Sequence, residues 1–160
     1  MNKAIKFQHE VIRPVLEKMH ASNLAAEELL LGTAVQESLN FKYRRQMGNG
    51  PARSYFQMEP ATHDDIWNNY LKYNARRAAL VTSFLSSPDA DKHDELENND
   101  QYATAMARVH YMRVSEALPK QGDIEGQANY WKQYYNTPLG KGKPSEYIEK
   151  WHHYVLGSED

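Results

Sequence analysis

The 160-residue chain contains no cysteine and no long apolar run. The lack of cysteine excludes disulfides and thiolate metal sites, and it leaves the redox compartment open. No stretch approaches the ~20 consecutive apolar residues of a membrane-spanning helix, so we expect no membrane insertion. Residues 1–10 lack the apolar run of roughly 7–15 residues that a signal peptide contains, and we therefore expect no signal peptide.

The chain also lacks an excess of positive charge. It has 21 acidic and 19 basic residues, which gives a formal net charge of −2. Nucleic-acid-binding proteins usually carry a basic patch or stripe, so the composition predicts no nucleic-acid partner. The length suits one domain, 1–160, because domains commonly have roughly 100–150 residues. Tyrosine is abundant at 11 residues, and its flat apolar ring with a polar tip suits both packing and contact with sugar rings.

Apolar residues recur at helical spacing along most of the chain, which predicts a mainly α fold of about six helices. The predicted helices are a stripe over 11–19 with Pro14 as a kink or late start, 24–39, one that starts with Thr62 as its N-cap, 102–113, 124–135 and 147–155. Two segments break this pattern. Residues 86–100 are rich in Pro, Asp, Asn and Glu and predict an exposed acidic loop, and residues 40–53 predict an irregular loop.

Glu37 is the first candidate for chemistry. It follows Ala34, Thr33 and Leu30 by three, four and seven residues, so it shares a helix face with small and apolar side chains. It also lies in the last helical turn, where the negative end of the macrodipole disfavours a carboxylate. Both burial and dipole raise the pKa of a carboxyl, as a general acid near neutral pH requires. The competing interpretation is a solvated residue at a helix end.

Three segments resemble a known family. Residues 30–38 (LLGTAVQES) resemble the catalytic helix of soluble-type lytic transglycosylases of the lysozyme-like superfamily, in which a Glu-Ser pair ends the helix. Residues 54–62 (SYFQMEPAT) resemble the family's Gly-Leu-Met-Gln-Ile-x-Pro-x-Thr segment, and Tyr134-Tyr135-Asn136 resembles its Ala-Tyr-Asn-Ala-Gly segment. The segments occur in the family's order, and the resemblance covers residues 29–155.

The resemblance implies a single lysozyme-like domain in which an irregular or small β-like segment lines a cleft. It implies that Glu37 is the general acid/base and that Tyr135 approaches its carboxyl. The residues that it places at the substrate are Ser38, which would hold or orient a sugar or the acid, Gln57 and Met58 on the cleft floor, and also Tyr55, Tyr135 and Asn136. Two departures stand out: Ser54 replaces a glycine, which makes a positive φ less easy there, and Thr137-Pro138 replaces Ala-Gly after Asn136.

The activity implied by the resemblance is cleavage of the peptidoglycan glycan strand between N-acetylmuramic acid and N-acetylglucosamine, giving 1,6-anhydro ends. Three alternatives stay open: a hydrolytic muramidase, a chitinase-like enzyme, and a non-catalytic virion or structural protein. Hydrolysis ordinarily needs a second carboxylate, for which Glu59, Asp64 and Asp65 are candidates. With no signal peptide expected, the protein would reach the cell wall after release or delivery by virion or export proteins, as a phage-type lysin does.

The remaining polar clusters predict less. His152-His153 and His63-Asp64-Asp65 contain metal-ligand types, but no spacing places three ligands on one face, so we expect no metal and no cofactor. The cluster Tyr43-Arg44-Arg45 could meet the carboxylates of peptidoglycan or form a solvated loop. Trp67 and Trp151 lie on helical stripes and are predicted to be core residues. The helix with Tyr130 and Trp131 leads toward the predicted site, so these two could be either core or sugar-contacting residues.

Overall fold

The computed structural model describes residues 1–136 and 140–157, and over these residues the chain is mainly helical. The helices are α1 (3–18), α2 (Leu24–Ser38), α3 (Pro60–Asn69), α4 (Ala75–Thr82), α5 (Lys92–Asn98), α6 (Asp100–Met112), α7 (124–136) and α8 (144–155). Within the described residues, strand pairing is limited to isolated bridges that join Arg53 to Arg45 and to Met58. The prediction of a mainly α fold is therefore confirmed. No described helix is long and apolar enough to cross a membrane.

Helix α1 is continuous through Pro14, so the predicted late start is wrong. A π-helical turn, Gln8–Ile12, precedes the proline, and the Arg13 N–H bonds the Gln8 carbonyl five residues back. Because proline lacks an N–H and crowds the preceding turn, a wider turn at this point is physically reasonable. The same turn is tied to α2, because the buried Glu27 carboxylate accepts from Arg13 Nε at 3.0 Å.

Helix α2 is the central helix of the fold. Residues 29–35 are all buried, and the helix packs against α1, α6, α7 and α8. A helix that is buried on all sides needs no amphipathic face, which explains why its apolar residues do not form a single stripe. Gly32 allows Tyr147 of α8 to approach closely, because a Cβ at Gly32 would overlap the Tyr147 hydroxyl. Asn23 caps the helix start by accepting the Ala26 N–H.

Three helices differ from the prediction. Helix α3 begins at Pro60 rather than after Thr62, with proline in its favoured first-turn position. Helix α4 was not predicted. Helix α5 lies inside the predicted acidic loop: Asp91 caps it by accepting the His93 and Asp94 N–H groups, and Leu96 is its one buried residue among those described.

The C-terminal end of α7 also departs from regular α-helical geometry. The helix continues as a π-helical turn over Lys132–Asn136. The predicted departure at Thr137-Pro138 lies outside the described residues.

Candidate active site

A pocket of about 580 Å³ opens where the end of α2 meets the irregular segment 40–59 and the end of α7. Its volume lies within the usual range of ligand pockets, roughly 300–1,000 Å³. Four of the residues predicted for the site line it: Glu37, Gln57, Tyr135 and Asn136. The other lining residues are Leu39, Tyr43, Gln46, Met47, Pro51, Ala52, Glu59 and Gly140.

Glu37 combines partial exposure to this pocket with a strongly perturbed carboxyl. Burial raises its pKa from the ordinary value of 4.5 to about 7. Two groups oppose that rise: the indole of Trp131, whose Nε1 donates to Glu37 Oε2 at 2.9 Å, and the positive charge of Lys150. Desolvation wins over both, so the carboxyl is substantially protonated near neutral pH.

Trp131 is held rigidly beneath the acid. Its side chain is fully buried, its ring lies 5.5 Å from that of Tyr147, and Gly142 packs against the ring edge. A fixed indole N–H at 2.9 Å restricts the Glu37 carboxyl to one orientation, and it also stabilises the carboxylate left after a proton is donated. Sequence reasoning left Trp131 undecided and did not find Lys150, since neither lies near Glu37 in the chain.

Tyr135 lies beside the acid without a hydrogen bond to it in the described structure. Its hydroxyl donates instead to the Phe56 carbonyl at 2.6 Å. Burial, with a further contribution from the Glu37 charge, raises the pKa of Tyr135 well above its ordinary value, so the phenol stays protonated. Tyr135 is therefore close enough to Glu37 for the two to interact electrostatically, but the two side chains form no hydrogen bond among the described contacts. The Tyr135 hydroxyl instead joins α7 to the irregular segment.

Asn136 lies at the end of α7, where its side-chain oxygen accepts from Lys132 Nζ at 2.8 Å. Lys132 also donates to the Gly140 carbonyl at 2.7 Å. The lysine therefore joins Asn136 to Gly140, the described residues on either side of residues 137–139, and it fixes the orientation of the Asn136 amide. The remaining amide nitrogen of Asn136 packs near Gly142.

The segment 53–58 is a tight, irregular loop. The backbones of Arg53 and Met58 exchange two hydrogen bonds, each 2.9 Å, and Gln57 Nε2 donates to the Ser54 carbonyl at 2.8 Å. Ser54 and Gln57 both have positive φ, +71° and +49°. Ser54 therefore adopts the backbone conformation that a glycine would adopt more easily, and its buried hydroxyl compensates in part by accepting the Phe56 N–H at 3.0 Å.

A second strained segment follows α2. Leu39, Asn40 and Phe41 are consecutive left-handed residues with φ of +52°, +57° and +66°. Left-handed conformation costs non-glycine residues roughly 1–2 kcal/mol each. Leu39 and Gln57, one from each strained segment, both line the pocket. Backbone strain persists where surrounding structure enforces it, and it clusters at functional sites.

Ser38 is fully buried, away from the pocket lining. Its hydroxyl donates to the Ala34 carbonyl and accepts the Phe41 N–H, both at 2.6 Å. This burial is at odds with the predicted contact to a sugar. Ser38 instead holds the left-handed turn at the helix end and so positions the residue before it, Glu37.

Tyr55 and Met58 also lie outside the pocket lining, although the resemblance placed Met58 on the cleft floor and Tyr55 at the substrate. Met58 is buried in the core. The Tyr55 ring packs edge-on against Phe41 at 5.2 Å between centroids, and the Arg44 guanidinium lies 4.3 Å from its centre. Both side chains therefore pack the irregular segment against the rest of the protein and do not line the pocket.

The cluster Tyr43-Arg44-Arg45 is divided by the structure. Tyr43 lines the pocket, whereas Arg44 pairs with Asp100 at 2.7 Å and Arg45 pairs with Glu97. The two arginines therefore anchor the irregular segment to α5 and α6. Both carry partners already, so neither is a free cation for a substrate carboxylate.

Of the three candidates for a second carboxylate, Glu59 is the one that lines the Glu37 pocket among the described residues, and it is exposed. Asp64 bonds His63 and His93, and Asp65 bonds Arg113 and Asn69. Neither aspartate is among the described residues that line the Glu37 pocket.

No family model, no curated protein and no solved structure matches the chain. The chemistry of the pocket is therefore read from its own groups. It offers one carboxyl poised to donate a proton near neutral pH, three amide side chains (Gln46, Gln57 and Asn136) and two tyrosines (Tyr43 and Tyr135). This set suits acid catalysis on an uncharged, hydroxyl- and amide-bearing ligand.

Proposed function

We propose that the chain is a lytic transglycosylase that cleaves the peptidoglycan glycan strand between N-acetylmuramic acid and N-acetylglucosamine. The observation that carries this proposal is Glu37: a carboxyl with a pKa of about 7 at the wall of a pocket lined by Gln57, Tyr135 and Asn136. Those four residues come from three sequence segments that resemble this family, and they meet in one pocket.

In the proposed reaction Glu37 donates its proton to the glycosidic oxygen as the C1–O4 bond breaks. The acetamido group of the muramic residue, or directly its 6-hydroxyl, supplies the electron pair that C1 loses. The 6-hydroxyl then forms the C1–O6 bond and returns its proton to the Glu37 carboxylate. The products are a 1,6-anhydro end and a free 4-hydroxyl, with no water consumed and the acid regenerated.

The groups around Glu37 support a role in both halves of this cycle. A pKa near 7 keeps the acid protonated for the first step. The Trp131 N–H and the Lys150 charge stabilise the carboxylate that then accepts the 6-hydroxyl proton. Tyrosine rings and amide side chains in the pocket match the apolar faces and the acetamido groups of an amino-sugar strand.

A buried acid-bearing helix surrounded by other helices, with an irregular segment beside its end, is what a lysozyme-like domain would require. We include that fold assignment in the proposal. Delivery to the cell wall by virion or export proteins, as for a phage-type lysin, belongs to it as well.

A hydrolytic muramidase is the second candidate, and Glu59 is the observation that favours it. Its carboxylate is exposed and lines the Glu37 pocket, so it could activate a water or attack C1. In hydrolases the two carboxyl groups are ~5–5.5 Å apart for retention and ~6.5–9.5 Å for inversion. Under this alternative Glu59→Gln abolishes cleavage, whereas a one-carboxylate transglycosylase retains most of its rate in that variant.

The test is digestion of purified peptidoglycan, followed by mass spectrometry of the soluble muropeptides. We expect anhydro-muramic ends, which are lighter than reducing ends by the mass of one water, and no such products with Glu37→Gln. Reducing ends would indicate the hydrolase. Cleavage of chitin oligosaccharides without activity on peptidoglycan would indicate a chitinase-like enzyme. The absence of products with a folded wild-type protein would overturn the proposal and favour a non-catalytic scaffold.

A further inference from the structure

A cluster of three metal-ligand side chains lies between α3 and α5. The Asp64 carboxylate oxygen Oδ1 is 2.9 Å from His63 Nδ1 and 2.8 Å from His93 Nε2. All three atoms lie within 4.8 Å of one another. Two imidazole nitrogens from separate helices therefore converge on one carboxylate oxygen.

The donor set distinguishes among metals. Two imidazoles and one carboxylate form a nitrogen-rich site that suits Zn²⁺ and neighbouring transition metals, whereas Mg²⁺ and Ca²⁺ prefer oxygen ligands throughout. Zinc sites with three protein ligands of this kind take water or another ligand in the fourth position. A pocket of about 460 Å³, lined in part by His63 and Asp64, provides room for such a ligand.

The buried member of the cluster is already oriented. His63 Nε2 lies 2.7 Å from the Tyr102 hydroxyl, which also accepts from Trp67 Nε1 at 2.9 Å. Both His63 and Tyr102 are fully buried. Metal-binding histidines usually donate their other ring N–H to a fixed acceptor, which sets the tautomer and the ring direction. Tyr102 is placed to be that acceptor, so His63 Nδ1 faces the cluster with its lone pair available when Nε2 carries the proton.

We propose that His63 Nδ1, Asp64 Oδ1 and His93 Nε2 bind a Zn²⁺ ion that joins α3 to α5. Zinc replaces the ring protons that otherwise hydrogen-bond the Asp64 oxygen. In the metal-bound form His63 carries its proton on Nε2 and His93 carries its proton on Nδ1. The ion would tether α5, a helix of seven residues with Leu96 as its one buried residue among those described, to the rest of the fold.

Two lysines add positive charge beside this site. Lys72 and Lys92 line the neighbouring pocket, and the Lys92 ammonium lies 5.2 Å from the centre of the Trp67 ring. Their positive charges favour hydroxide or another anion over neutral water as the fourth ligand.

The sequence alone predicted no metal, because no spacing of the candidate ligands places three on one face, and His93 lies in the segment predicted as an acidic loop. His63 and Asp64 are adjacent in the chain, but His93 lies 30 residues after His63. The cluster is also separate from the candidate active site, since the two pockets share none of the described lining residues. The tests of the zinc site are therefore independent of the tests of the proposed activity.

The first test is titration of the full chain, stripped of metal with a chelator, with Zn²⁺ alone. We expect one ion per chain by calorimetry. At a free Zn²⁺ concentration about 100 times the Kd, we expect a rise in Tm of about 5–10 °C. His93→Gln removes one ligand from a half-exposed position that should not affect folding, and it should weaken binding at least 100-fold. His152→Gln is the matched control at an exposed histidine outside the cluster, and it should bind as the wild type does.

The second test locates the ion. In ¹⁵N NMR of the histidine rings, Zn²⁺ should shift the resonances of His63 Nδ1 and His93 Nε2. In calorimetry, Tyr102→Phe should weaken Zn²⁺ binding by ~10-fold or more, because it removes the acceptor that orients His63. The proposal is overturned if calorimetry detects no binding at millimolar Zn²⁺. It is equally overturned if the affinity survives His93→Gln or depends on His152, because the ion then binds elsewhere.

Discussion

Replacing Glu37 with glutamine should remove activity and, at alkaline pH, raise stability. The pKa of Glu37 rises from 4.5 to about 7 on folding. A group whose pKa is raised in the folded state stabilises the fold fully below its unfolded pKa, and that contribution is lost as the pH rises through the folded pKa. This rise in the pKa corresponds to a loss of about 3 kcal/mol of stability in the wild type between pH 4.5 and pH 8.

Glu37→Gln lacks the titrating carboxyl and should lack this loss. We expect the variant to be more stable than the wild type by about 2–3 kcal/mol at pH 8, because the partly exposed carboxyl keeps some solvation. For a chain of this size that corresponds to a rise in Tm of about 5–10 °C. The advantage should vanish below pH 4.5. Cleavage of peptidoglycan should fall by ~10²–10⁴-fold at the same time.

The assay is thermal or urea unfolding of both proteins at half-unit steps from pH 4 to pH 8.5. The difference between the two free energies of unfolding isolates Glu37, since every other titrating group is shared. Parallel curves for the two proteins would refute the reasoning, because they would mean that Glu37 titrates alike in the folded and unfolded chains. A variant that is less stable at pH 8 would refute it too.

Three further substitutions test the surroundings of the acid. Trp131→Phe removes the hydrogen bond that favours the Glu37 carboxylate, so the alkaline limb of the pH–rate profile should move up by about one unit; an unchanged limb would mean that the indole does not act on the acid. Gly32→Ala places a methyl group on the buried Tyr147 hydroxyl and should lower the free energy of unfolding by about 1–3 kcal/mol in urea denaturation, against the small gain expected from helix propensity alone. Leu39→Gly relieves a left-handed φ of +52° and should raise the free energy of unfolding by about 1 kcal/mol in the same assay; a loss would show that packing of the leucine outweighs the strain.

The long helices with many buried apolar residues could be predicted from the sequence, whereas the short polar helices could not. Helix α2 has a dense run of buried apolar residues, so its bounds were predicted within one residue. Helix α5 buries Leu96 and its other residues are polar, so it shows no apolar period. Its stability comes from the Asp91 cap and from contacts with α6, which a local pattern does not contain.

The direction of the Glu37 pKa could be predicted from its own helix, whereas its proposed role as the acid came from the resemblance. Glu37 follows small and apolar residues on its own helix, and burial is the largest contribution to its raised pKa. Trp131 and Lys150 act on it from α7 and α8, far along the chain. The backbone of the irregular segment was equally hidden, because Ser54 and Gln57 adopt positive φ although their side chains disfavour it.

The π-helical turn at the end of α7 explains why the direction of the Tyr135 hydroxyl could not be predicted. A regular helix repeats every 3.6 residues, whereas a turn closed by i to i+5 bonds shifts the face of each later residue. Tyr135 therefore cannot be placed by extending the pattern of residues 124–131. Its hydroxyl reaches the Phe56 carbonyl rather than the acid.

The pKa of Glu37 decides whether this residue can serve as the proposed proton donor near neutral pH. Its pKa can be measured directly by ¹³C NMR titration of the side-chain carboxyl, with Glu37→Gln used to assign the resonance. We expect a midpoint of about 7, well above the 4.5 of an ordinary glutamate. A midpoint near 4.5 would contradict the account, because Glu37 would then be ionised at neutral pH and could not serve as the acid.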